Sequence, residues 1–226
     1  MKGAVLVTGG AKRIGRAVCD ELRARGWTVL VHSRDASNPL RADFSAPGAA
    51  EELFAAACRA APGLCAVVNS ASEFSLAADL PPGGAARLLR VNAEVPARLA
   101  ELLAARLRAA GGSGAVVNLL DARVLHAPPL REAASATPYE RSKIALRDAT
   151  REQARALAPV LRVNAVAPGP VLPPADPSCA EPGGGILLAR RPSPGDVARA
   201  VAFLLEAEAV TGQVLAVDSG QSLLRR

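Results

Sequence analysis

The chain has a single tyrosine, Tyr139, and one of its three lysines, Lys143, lies four residues after it. On a helix, positions i and i+4 share a face, so the two side chains are predicted to be neighbours. A phenol titrates at about 10, and a nearby ammonium favours its ionised form. Tyr139 and Lys143 are therefore expected to transfer a proton near neutral pH.

A second constellation lies near the start, in Thr8–Gly9–Gly10–Ala11–Lys12–Arg13–Ile14–Gly15. Gly9 and Gly10 let the backbone turn tightly and approach a pyrophosphate. Arg13 and Ile14 open a helical pattern whose N-terminus presents free N–H groups, and Gly15 lets that helix pack close to the preceding strand. The Gly10-x4-Gly15 spacing is that of a nucleoside triphosphatase loop, but Arg16–Ala17 stand where Lys–Ser/Thr is needed, which disfavours that class. At the end of the next apolar run come His32, Ser33 and Arg34. An NAD site places an acidic residue there, on the ribose 2′-hydroxyl. A hydroxyl and a guanidinium suit a 2′-phosphate instead, so NADPH is expected over NADH. The alternative for Arg34 is a surface pair with Asp35.

These residues need a scaffold. Short β-branched runs over 4–8, 28–32, 66–69, 115–120, 162–167 and 214–217 alternate with helical patterns over 13–25, 49–61, 84–110, 138–158 and 194–206. The runs are apolar throughout rather than alternating, so both faces of each strand should be covered. That predicts an α/β fold, a doubly wound parallel sheet flanked by helices on both faces. At 226 residues it suits one domain, 1–226. The segment 170–191 holds five prolines and three consecutive glycines and is expected to be a substrate lid.

Composition excludes several classes. Half of the residues are apolar, too many for disorder. No apolar run is long enough to span a membrane, and the opening run is too short for a signal-peptide core. The net charge of +6 is spread as arginines among acids, with no basic block interleaved with aromatics, so nucleic acid is not an expected partner. Cys19, Cys58, Cys65 and Cys179 make no Cys-x-x-Cys pair and only His32 and His126 accompany them, so no metal site is expected. A reducing cytoplasm is the natural setting. His126 and Trp27 are read as structural.

Taken together, the Thr8–Gly15 turn, Asn69–Ser70–Ala71, Val91–Asn92–Ala93, Tyr139-x3-Lys143, Asn164–Ala165–Val166–Ala167–Pro168–Gly169 and Val210–Thr211–Gly212–Gln213 with Val217–Asp218 resemble the short-chain dehydrogenase/reductase family over nearly the whole chain. The resemblance implies a single Rossmann-type domain, usually in a homotetramer. It makes Tyr139 the general acid/base, puts Lys143 on the nicotinamide ribose and has Asn92 support a proton-relay water. It implies cofactor contacts at Gly9, Arg13, Ile14, Gly15, His32, Ser33, Arg34, Asp43, Asn69, Ser70, Ala71, Tyr139, Lys143, Pro168, Gly169 and Val171. Asp43 stands near the family's adenine-contacting aspartate, or is a turn residue.

Three departures narrow the resemblance. Asp121 ends the fifth strand where most members carry serine; Lys12–Arg13–Ile14–Gly15 replaces the usual Gly-x-Gly; and Asn69–Ser70–Ala71–Ser72–Glu73–Phe74 replaces Asn–Ala–Gly. All three look like the branch of pteridine reductases and dihydromonapterin or dihydrofolate reductases. Its pattern puts Arg13 near the cofactor phosphates and the pterin, Ser72 on the pterin, Phe74 stacked upon it, and Asp121 working with Tyr139 and Lys143 in protonation. Phe74 also reads as core, and Asp121 as a cap on the next segment. The function implied is NADPH-dependent hydride transfer to a C=N bond of a pterin or dihydrofolate, Tyr139 giving the proton. The alternatives are a carbonyl reductase of the same fold and a non-catalytic NADP-binding sensor. Arg226 is a candidate to reach a neighbouring subunit's site, as terminal arginines do in some relatives.

Overall fold

The computed structural model describes residues 2–75, 80–172 and 185–224. Strands β1 (Ala4–Thr8), β2 (Thr28–Ser33), β3 (Leu40–Arg41), β4 (Leu64–Asn69), β5 (Gly114–Leu119), β6 (Leu161–Pro168) and β7 (Val214–Val217) form one sheet in the order β3-β2-β1-β4-β5-β6-β7. Every neighbouring pair is parallel. The connections run through helices α1 (Arg13–Ala24), α2 (Ala49–Ala60), α3 (Gly84–Leu89), α4 (Val95–Ala110), α5 (Pro138–Ala156) and α6 (Pro194–Glu206).

The absence of alternation in the strands has the expected cause. On β1, Val5 and Val7 face one way, against Val18 and Leu22 of α1 and Val197, Val201 and Leu204 of α6. Leu6 faces the other way, into a core with Leu53 and Phe54 of α2 and Leu99 and Leu103 of α4. Each fully buried leucine in these layers contributes roughly 1.5–3 kcal/mol relative to an exposed one.

Three features were not foreseen. The edge strand β3 is two residues long, paired as His32↔Leu40 and Ser33↔Arg41. The helix expected over 84–110 is three pieces: a π-helical turn, Arg90–Glu94, separates α3 from α4. Pro96 opens α4 and has no N–H to give back to the preceding turn, so the regular ladder cannot run through. The π turn carries Asn92 inward, where it is buried; such turns recur at functional sites. Finally, Arg147 on α5 is nearly fully buried and donates to the carbonyls of Val124, Ala127 and Pro128, tying down the β5–α5 loop.

Strand order reverses between β1 and β4, with β2 and β3 to one side and β5 to β7 to the other. In open parallel sheets a ligand crevice forms beyond the carboxyl ends of the strands at that reversal. Thr8 and Asn69 end the two strands that flank it. Residues 173–184, the middle of the expected lid, lie outside the described residues, as do Cys179 and Arg226. Cys19 is a buried free thiol, pushed up to about 11 by burial, as suits a small core filler. Trp27, just before β2, donates to Glu206, and His126 lines a surface cavity of about 660 Å³ with Arg151 and Arg155.

Candidate active site

The turn after β1 is built by its glycines. Gly9 sits at φ +65°, and a Cβ there would lie 2.8 Å from the Ala71 backbone. A Cβ on Gly15 would lie 2.2 Å from the Gly9 carbonyl oxygen, so only glycine lets α1 start this close to the turn. Gly10 instead leaves room for Cys19 and Val31 behind the turn. Arg13 is itself left-handed at φ +52°, a conformation that costs a non-glycine residue about 1–2 kcal/mol. No side chain caps the start of α1 and no acid lies in its first turn. Its leading N–H groups, with the adjacent Lys12 and Arg13, make a donor set that suits an anion.

The crevice walls are held by side chains that bond to backbone. The Thr8 hydroxyl accepts from the N–H groups of Ser70 and Ala71, each at 3.1 Å. Asn69 donates to Asn118, which donates to Thr150, linking β4, β5 and α5 through buried amides. His32 lies behind the turn rather than lining its front: its Nδ1 accepts from the Gly9 N–H at 3.3 Å and its Nε2 pairs with the Ala42 carbonyl at 3.1 Å. Burial lowers its pKa, so the imidazole stays neutral in this bridge. The Ser33 hydroxyl accepts from the Asp35 N–H. Arg34 pairs with Glu73 at 3.5 Å, not with Asp35, whose carboxylate turns to Ser37. Asp43 closes a turn onto the Ser45 N–H and hydroxyl, which hold its carboxyl below the usual carboxylate range. Pro168 ends β6; Gly169 follows, where a Cβ would meet the Asp218 backbone at 2.7 Å, and the Val171 N–H bonds back to Gly169.

The predicted chemical residues converge at the ends of β5 and α5. A capping box between Thr137 and Glu140 starts α5, and Pro138 occupies its first turn. This fixes Tyr139 at the helix head. Its hydroxyl donates to Asp121 Oδ2 at 3.0 Å. Asp121 is also a cap: its Oδ1 accepts from the Arg123 N–H at 2.9 Å. Phe74 is 46% exposed, hence not core, and meets the Tyr139 ring edge-on at 4.8 Å. The Asn92 amide grips the Glu73 backbone, accepting from its N–H and donating to its carbonyl, both at 2.8 Å. It also accepts from the Ser72 hydroxyl at 3.0 Å and donates to Ser142.

One expectation is corrected. Lys143 does share a face with Tyr139, its ammonium 6.0 Å from the ring centroid, but that ammonium spends a hydrogen bond on the Leu119 carbonyl at 2.9 Å. Burial and the neighbouring Asp121 push the Tyr139 phenol well above its ordinary value, and Arg123 is the cation that opposes this. Burial lowers Lys143 to about 8, with Asp121 opposing. Tyr139 is thus kept as a proton-bearing phenol rather than poised as phenolate.

Sequence reasoning missed Arg123, Glu73 and Ser142. Arg123 packs against Phe74, 5.4 Å from the ring centroid. Glu73 takes Arg87 through two nitrogens as well as Arg34. The one available signal was proximity in the chain: Arg123 follows Asp121 by two residues, and Glu73 separates Ser72 from Phe74.

A family model described as enoyl-(acyl carrier protein) reductase matches residues 9–222. A short-chain dehydrogenase/reductase homolog of Bacillus subtilis (strain 168), YusR, is 40% identical over 95 residues, covering 40% of this chain and 74% of that protein. Carbonyl reductase family member 4 of Danio rerio is 42% identical over 89 residues, 38% of either chain. Among solved structures, FolM alternative dihydrofolate reductase 1 from Brucella canis, complexed with NADP, superposes with a TM-score of 0.79 at 32% identity, covering 98% of this chain and 95% of that one. Its Brucella suis counterpart, also with NADP, gives 0.78 at 32% identity and the same coverage.

Proposed function

The chain belongs to the short-chain dehydrogenase/reductase family, and we propose that it is an NADPH-dependent reductase of a pterin or dihydrofolate-type substrate, transferring hydride to a C=N bond. One observation carries the reading. The Tyr139 hydroxyl rests on a carboxylate, Asp121, beside the exposed ring of Phe74. A flat, nitrogen-rich ring needs a stacking surface, a hydrogen-bond acceptor and a proton donor, and these three side chains supply them. A reductase of ordinary carbonyls would more naturally present a second hydroxyl where Asp121 stands. The NADP-complexed FolM structures support both the cofactor and the substrate class.

The crevice suits a dinucleotide. The glycine turn leaves room that a Cβ would take, and the uncapped α1 terminus with Lys12 and Arg13 suits its diphosphate. Gly9, Arg13, Ile14 and Gly15 would hold that part, with His32 bracing the turn from behind. Ser33 and Arg34 would hold the 2′-phosphate and Asp43 the adenine side. Asn69, Ser70, Ala71, Pro168, Gly169 and Val171 would line the remainder, with Tyr139 and Lys143 at the nicotinamide ribose. When bound, NADPH supplies the hydride. Arg13, Ser72, Phe74 and Asp121 would orient the ring. Tyr139, held protonated, gives its proton to the ring nitrogen, and Asp121 fixes the hydroxyl that delivers it. Asn92 holds Ser72 and Glu73 in place against α5. The family resemblance extends the reading to a homotetramer, and the cysteine spacing to a reducing cytoplasm.

The reading predicts a pH profile. Lys143 is charged below about 8 and loses its proton as pH rises through that value, while Tyr139 keeps its own. The kcat of NADPH-dependent dihydropterin reduction should therefore fall on the alkaline side with a midpoint near 8. Lys143→Arg, whose guanidinium does not titrate there, should move that limb to higher pH. A limb at the same pH in both proteins would remove Lys143 from the mechanism.

A further inference from the structure

Three arginines of the described chain are substantially buried around the sheet's carboxyl edge and α6, and two of them explain themselves. Arg147 spends its donors on the carbonyls of Val124, Ala127 and Pro128 and on Asp148. Arg162 closes the end of α6 by donating to the carbonyls of Leu204, Leu205 and Val210. Arg123 differs. Its side chain is only 10% exposed, yet among the described residues nothing accepts a hydrogen bond from its guanidinium. Its Nε stands 3.8 Å from Asp121 Oδ1, an ion-pair distance but too long for a hydrogen bond. The guanidinium also lies over the ring of Phe74. Among the described residues the buried side-chain atoms left without a partner are Asn69 Oδ1 and Gln221 Nε2, so the five N–H donors of the Arg123 guanidinium keep access to solvent and to a ligand.

The placement of Arg123 is not accidental to the site. Its own N–H is bonded to Asp121, so the carboxylate that takes the Tyr139 hydroxyl also fixes the arginine beside it. Asp121 keeps unused acceptor capacity, since a carboxylate has about four lone-pair positions and two are taken by Tyr139 and the Arg123 backbone. An acceptor and a charged donor thus stand side by side, against an aromatic ring. Their complement is a flat ring whose edge carries an N–H donor next to a carbonyl acceptor.

We infer that Arg123 reads the substrate, donating to a ring carbonyl oxygen adjacent to the nitrogen donors that Asp121 accepts, so that the site selects an amino-oxo pyrimidine edge. This rests on the pterin reading and assigns to it a residue and a chemical group.

The test compares two fluorescent ligands on the NADP⁺-bound protein: pterin, which has the ring carbonyl and the N–H beside it, and 2-aminopteridine, which lacks both. The wild type should bind pterin about 10- to 100-fold more tightly, the range expected for a hydrogen bond to a charged donor. Arg123→Gln should cut that preference at least about fivefold, what remains coming from the N–H that Asp121 accepts, and Arg123→Lys should recover part of the loss. NADP⁺ affinity, measured in the same proteins, should stay within about twofold, which reports an intact fold and crevice. If Arg123→Gln keeps the preference, or loses NADP⁺ and pterin in equal proportion, the inference is overturned. If the wild type binds NADP⁺ but neither pteridine, the pterin reading falls and the inference with it. If it binds both pteridines equally, only the inference falls.

Discussion

Tyr139→Phe is expected to lower kcat for dihydropterin reduction by about 100- to 10,000-fold, the range a positioned proton donor supplies. The substitution keeps the ring, so the edge contact with Phe74 at 4.8 Å and the packing of Lys143 remain. It removes the single hydroxyl that rests on Asp121. Tyr139 is almost fully buried at the head of a firmly capped helix, so no neighbouring group moves easily into its place. NADPH affinity should fall far less than kcat, by about tenfold at most, because the larger loss is of an interaction needed in the transition state. Steady-state kinetics with a parallel NADPH titration separates the two quantities. A fall in kcat of less than about tenfold would mean that another group delivers the proton.

Gly15→Ala is the substitution expected to damage the scaffold most. The new Cβ would lie 2.2 Å from the Gly9 carbonyl oxygen and 2.9 Å from its carbonyl carbon. Both are backbone atoms, so no flexible side chain can yield. Either α1 retreats from β1 or the turn shifts, and each breaks the alignment of the uncapped N–H groups with Gly9. Overpacking of this kind costs about 1–3 kcal/mol or more. The shifted turn should also weaken NADPH at least about tenfold, since each 1.4 kcal/mol is a factor of ten. Gly26→Ala is the matched control. Gly26 is left-handed at φ +85°, but a Cβ there meets nothing within 4 Å. It should lose only the roughly 1–2 kcal/mol of a left-handed residue and leave NADPH affinity unchanged. Denaturant unfolding and cofactor titration on the two variants check this; equal NADPH affinity in both would contradict the role given to the turn.

Those two sites were legible in the sequence for different reasons. Gly15 declared itself by its place between an apolar run and a helical pattern, where close strand–helix approach is needed. Tyr139 and Lys143 declared themselves by a four-residue spacing between rare residues. The sheet was legible because Val5, Leu6 and Val7 are all apolar, which a strand buried on both faces requires. What spacing could not reveal is where a long side chain ends. Lys143 shares the face of Tyr139, but its flexible stem carries the ammonium to the Leu119 carbonyl, so the expected stabilisation of phenolate did not follow. The same limit hid Arg34, whose guanidinium goes to Glu73, a residue 39 positions away in the chain. Strand β3 escaped notice because two residues carry no periodicity, and the π turn because local apolar spacing continues through it. Arginines gave no signal of burial either: Arg123 and Arg147 look like the surface arginines that dominate the chain's charge.

The central claim is hydride transfer from NADPH to a dihydropterin. Its most direct test is NADPH oxidation by the purified protein with dihydrobiopterin, dihydromonapterin and dihydrofolate, beside a few simple ketones and aldehydes, and with NADH in parallel. The predicted result is turnover of at least one of the three dihydro compounds, NADPH preferred over NADH, and little or none of the carbonyl compounds. Turnover confined to the ketones and aldehydes would leave the fold and the Tyr139–Lys143 pair standing but contradict the roles given to Asp121 and Phe74.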